Sequence, residues 1–172
     1  MFVKEAERAG SVLRHMVAAE ELSPVVLCVG SSKVVGDSLG PRVGTKLHTL
    51  CGRKVPVCGN MSNPIHALNL KDVSQKMQSK YGKRPLIVVD ACVGNEDHVG
   101  GILVGAGYTI PGSGVGKKMS RLGSFYMHGI VCKNTQDLEK NYQNLFNVSV
   151  SFIQELSDSI ALAICYALGG RG

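Results

Sequence analysis

Tryptophan is missing from the chain, and aromatic residues of all kinds make up only 5% of its 172 positions. The core must therefore be aliphatic, and no basic stripe with interleaved aromatics, the pattern that stacks nucleic-acid bases, is present. The net charge is +6, but lysine and arginine are scattered over both halves, with only short pairs such as Lys117-Lys118. That excess reads as a solvated surface, and no nucleic-acid partner is expected.

Closely paired cysteines are missing too. Cys28, Cys51, Cys58, Cys92, Cys132 and Cys165 contain no CxxC or CxxxxC spacing, which removes the usual zinc and dithiol redox patterns. Several lie in apolar runs and read as small buried hydrophobes, so reduced thiols are expected. The opening MFVKEAERAG carries charges and no long apolar segment, which argues against a secretory signal. Only Met1 to Ser23 precede the first strand, leaving little room for a pro-segment. No run approaches the ~18 apolar residues of a membrane span. Even the C-terminal segment is interrupted by Gln154, Glu155 and Asp158. The chain therefore reads as cytoplasmic with no membrane partner, and nothing in it sets an oligomeric state.

What is present is a hydrophobic content of 44% and 21 glycines in a chain of one-domain length, taken as a single α/β/α domain over 1–172. Val25 to Val29 is a continuous apolar run between Pro24 and Gly30, the mark of a strand buried on both faces. Gly36, Asp37 and Ser38 follow in a loop, and a helix starts near Ser38, where Pro41 suits a first turn. Leu86 to Val89 is a second such run and ends at Asp90, with a loop expected from Ala91 to His98.

Helices are predicted over Lys4 to Glu20, from Ser38 to about Gly52 with Val43, Leu47 and Leu50 inward, and over His66 to Lys80. Two more follow between Thr135 and Leu168, broken around Asn144 to Ser149. Further strands are predicted at Val55 to Cys58, Gly100 to Gly107 and Phe125 to Cys132. This order gives a three-layer α/β/α sandwich around a mostly parallel sheet.

In such a sheet, right-handed crossovers bring the ends of consecutive parallel strands to one rim, so Asp37 and Asp90 should emerge together there. Two neighbouring carboxylates resist joint ionisation and can serve as acid and base on a water molecule. The plainer alternative is that each caps a helix or shapes a turn. Pro111 to Lys118, PGSGVGKK, resembles a phosphate loop, but Pro111 replaces the first glycine and Lys118 the magnesium-binding hydroxyl. No nucleotide cofactor is expected. The segment reads either as a mobile loop or as a loop beside the site, where the amides around Gly112 and Gly114 and the Lys117 cation would steady a substrate carbonyl or anion.

His66, His98 and His128 could complete a metal site with the two aspartates, but none has an HxxH or HExxH spacing, so no metal is assigned. His15 and His48 lie on predicted helices and look incidental. Cys92 would be a nucleophile only with a histidine beside it.

The strings GDSLGP at Gly36 to Pro41, VGTKL at Val43 to Leu47, NPIHALNL at Asn63 to Leu70, VVDACVG at Val88 to Gly94, and PGSGVGKK followed by LG resemble sporulation proteins of the YyaC type. The match runs in order from about Val25 to Cys132. These proteins are related to the spore germination protease and, more distantly, to the hydrogenase maturation proteases. The resemblance implies a phosphorylase/hydrolase-like fold and peptidase ancestry. It implies that Asp37 and Asp90 are catalytic; Gly36, Ser38, Cys92, His66, Gly112, Gly114 and Lys117 are the residues expected to line the place for a peptide substrate. Small acid-soluble spore proteins are the substrate class it suggests, with no cofactor. The maturation proteases bind nickel with the help of a histidine in the loop matching Pro111 to Lys118; that histidine is absent here, which favours the aspartate pair. A non-catalytic peptide-binding or regulatory protein and a metal-dependent endopeptidase are the alternatives.

Overall fold

The strands form where the apolar runs predict them, and the helices seal both faces. A computed structural model of the protein describes residues 2–52, 54–113, 116 and 121–169. Five strands, β1 (Val25–Cys28), β2 (Val57–Cys58), β3 (Leu86–Gly94), β4 (Ile102–Ala106) and β5 (Phe125–Lys133), form one sheet in the order β2-β1-β3-β5-β4. The first three neighbour pairs in that order are parallel, and β4 runs antiparallel to β5. The result is a mixed, mostly parallel α/β sandwich.

One face is covered by α1 (Phe2–Val17), α2 (Leu39–Leu50) and α5 (Val150–Leu168), with α4 (Leu138–Phe146) against β5. Val26, Cys28, Ile87, Val89 and Met127 point into this larger core and meet Leu13, Leu47, Leu156 and Ile160. The opposite face is covered by α3 (Leu70–Tyr81), where Leu27 and Val88 meet Leu70 and Met77. The period-2 alternation of β1 and β3 thus feeds two cores. Gly10, which a helix disfavours, sits where α1 crosses α5; a Cβ there would press on the Ala163 backbone and the Tyr166 ring.

Several boundaries move. The third helix starts at Leu70 rather than His66, because Ile65 bridges to Val29 and the Asn69 carboxamide oxygen accepts from the His66 amide, closing a turn. Leu68, at that turn, is 92% exposed, and Leu50, expected inward, is exposed at the end of α2. The strand carrying Asp90 runs on to Gly94, because β5 continues to pair with it after β1 has ended. The cysteines are not all free: Cys51 and Cys165 form a disulfide between the C-terminal ends of α2 and α5. Their separation of 114 residues hid the pair from any spacing rule. α5, with 19 residues, has the length and hydropathy of a membrane span, but half of its apolar window is buried within the protein. Ile153, Leu156, Ile160 and Ile164 face the core completely.

Candidate active site

The carboxyl ends of β1, β3 and β5 build the rim that carries the polar chemistry. At the end of β1 the chain turns at Gly30, whose φ of +144° favours glycine and whose missing Cβ leaves room for the Asp37 carbonyl oxygen. The 3₁₀ turn Gly36–Ser38 then folds back over the strand end. The Ser31 amide donates both to the Asp37 main-chain oxygen at 3.1 Å and to its Oδ2 at 3.0 Å. Asp37 is only 4% exposed. Gly36 packs against Leu145 of α4. Ser38 donates from Oγ to the Val35 carbonyl at 2.6 Å and accepts from Arg42 Nε at 3.0 Å, which ties its hydroxyl to the first turns of α2.

Asp90 lies one strand away. Its Oδ1 accepts from the Ala91 amide and its Oδ2 from the Gly112 amide, both at 2.9 Å, and it too is only 4% exposed. The Asp37 turn packs against β3. The two carboxylates therefore emerge on the same rim, each oriented by backbone donors. Gly112 thus supplies its N–H to the aspartate and not to a substrate oxyanion, a different role from the one expected of it. Gly114 and Lys117 lie outside the described residues.

Other expected residues are placed around this pair. His66 sits beside the end of β1, where Gly30 donates to the carbonyl of Ile65; its Nδ1 accepts from the Leu68 amide at 3.3 Å, within its own turn. His98 is exposed in the 3₁₀ turn Glu96–His98. Cys92 lies two residues beyond Asp90 on β3, and burial first, with Asp90 and Cys132 adding, pushes its thiol up to about 12. It is held protonated and is no nucleophile near neutrality. Among the described residues no three His, Cys, Asp or Glu side chains gather into a group able to hold a metal.

The residue that sequence reasoning underweighted is His128. Asp90 and His128 are register partners on parallel strands, so their side chains leave the same face of the sheet. His128 Nε2 is 3.1 Å from Thr109 Oγ1, and its ring rests at 5.0 Å from that of Tyr126. Burial pulls its pKa down to about 4, so the ring is neutral at physiological pH. Thr109 also bridges to Leu122, which closes the base of the loop that brings Gly112 to Asp90. The signal was present in the alternation of Phe125, Met127 and Val131 inward against Tyr126 and His128 on the other face. Only the β3–β5 register turns that alternation into a neighbour for Asp90.

Comparison with known proteins agrees with the motif resemblance. The chain belongs to the family described as Protein of unknown function (DUF1256), whose model matches residues 3–163. It is 39% identical over 107 residues to the protein called Uncharacterized protein YyaC in Bacillus subtilis (strain 168). That match covers 62% of this chain and 52% of the relative, so the chain spans about half the length of the curated relative it matches.

Proposed function

We propose that this family member is a sporulation-associated peptidase of the cytoplasm, hydrolysing peptide bonds in small acid-soluble spore proteins with Asp37 and Asp90 as its acid and base. The observation that carries the reading is that these two carboxylates lie on one rim, at the carboxyl ends of the neighbouring parallel strands β1 and β3, each oriented by backbone amides. In this reading one carboxylate takes a proton from the water whose oxygen attacks the peptide carbonyl carbon. The other protonates the nitrogen as the C–N bond breaks. Neutral His128, adjacent to Asp90 and bonded to Thr109, fixes the surroundings of that carboxylate. In the cytoplasm the Cys51–Cys165 pair would face the cell's reductants.

The burial of both carboxylates favours a second reading, in which the fold docks peptides for a regulatory purpose without cleaving them. Incubating the purified protein with a small acid-soluble spore protein separates the two. Fragments that disappear in Asp37→Asn and Asp90→Asn support the peptidase, whereas binding with no fragments supports the docking protein.

A further inference from the structure

The two edges of the sheet are built differently. β2 has two residues, too few to template another strand, while β4 (Ile102–Ala106, ILVGA) has five and carries no proline and no charge, the one bulge of its ladder lying before it, where Gly100 and Gly101 oppose Ile130. Exposed edges are normally blunted by one of those devices, and the five residues of β4 themselves have none of them.

Its geometry is specific. The Gly107 amide donates to the Ser124 carbonyl, and by the alternation of an antiparallel ladder Leu103 and Gly105 turn their amides and carbonyls to β5. Ile102, Val104 and Ala106 therefore turn theirs outward. Beside them runs a groove of about 430 Å³, walled by α1 and the Glu96–His98 turn and lined by Glu5, Arg8, Asp97, Leu103 and Val104. A two-fold contact requires a patch complementary to itself, and this one holds both signs of charge around an apolar strand.

We propose that two copies of this chain associate by pairing their β4 strands antiparallel about a two-fold axis at Val104, forming one continuous ten-stranded sheet. The outward groups of Val104 meet those of its mate, and Ile102 meets Ala106. Leu103, 47% exposed, comes opposite Gly105, over which the Tyr126 hydroxyl end is laid. A leucine against an edge glycine already covered by an aromatic ring gives the open face of the sheet a side-chain contact. This association is independent of any hydrolysis at the aspartates.

The test is mass in solution by light scattering and sedimentation at about 100 µM, where mass action favours association. The wild type should show twice the 18.3 kDa of one chain. Leu103→Lys places a charge on the exposed side of the edge, and Ala106→Pro removes only an outward amide; each should weaken self-association at least ~10-fold while circular dichroism shows an intact fold. A wild-type monomer at that concentration overturns the proposal, whether or not an added extended peptide binds the edge. So does a dimer that both folded variants leave unchanged.

Discussion

Asp90 on β3 and His128 on β5 are register partners, side by side on one face of a parallel pair, one held by the Gly112 amide and the other by the Thr109 hydroxyl. A carboxylate thus has a neutral imidazole beside it, and both are anchored to the same loop base.

That arrangement makes stability depend on pH with a definite sign. Burial lowers the His128 pKa from 6.5 to about 4 in the folded protein. Between those values the unfolded chain binds a proton that the folded chain does not, so stability should fall as pH drops from about 6.5 to about 4 and level off below. The difference corresponds to about 3 kcal/mol. Urea unfolding of the wild type across this range should show the slope, and His128→Gln should flatten it.

Gly30 is the hinge on which the Asp37 turn sits. Its φ of +144° and the Asp37 carbonyl in the space of a Cβ leave no room for a side chain. Gly30→Ala should cost about 2–4 kcal/mol by denaturant unfolding, because backbone strain and a buried clash combine. Gly52→Ala, also at positive φ but with nothing near its Cβ, isolates the strain and should cost less.

The Cys51–Cys165 disulfide closes 114 residues of chain. Constraining so long a loop in the unfolded state should stabilise the protein by about 2–4 kcal/mol. Thermal melts with and without reductant should differ for the wild type and coincide for Cys51→Ser.

Cys92, with its thiol pushed up to about 12, carries roughly a thousandfold less thiolate near neutrality than a thiol at its ordinary value of 9.0. Alkylation mapped by mass spectrometry should leave Cys92 unlabelled in the native protein while labelling it in urea. Cys92→Ser should keep whatever hydrolytic activity the wild type has.

Much of this fold is legible in the residues because its strands are short apolar runs with sharp ends. Val25 to Val29 and Leu86 to Val89 announce buried parallel strands, and the aspartates that follow them announce the rim. What escaped were features that depend on partners distant in sequence. Asp90 looked like a strand end because a lone carboxylate interrupts the apolar run there, yet the strand goes on through Ala91, Cys92 and Val93 and β5 continues the pairing to Gly94. His128 looked like an isolated histidine until the register set it beside Asp90. Gly112 looked like a donor for substrate until its amide was found on a carboxylate. Cys51 and Cys165 meet only because α2 and α5 lie together.

The central claim is that Asp37 and Asp90 hydrolyse peptide bonds as a pair. The most direct measurement is the rate of cleavage of a small acid-soluble spore protein by the wild type, Asp37→Asn, Asp90→Asn and the double variant, each shown to be folded. The account predicts fragments from the wild type and a loss of at least ~100-fold in each single variant, with the double variant no worse, since members of one acid–base unit are not additive. No cleavage by the wild type, or cleavage undiminished in the asparagine variants, would contradict it.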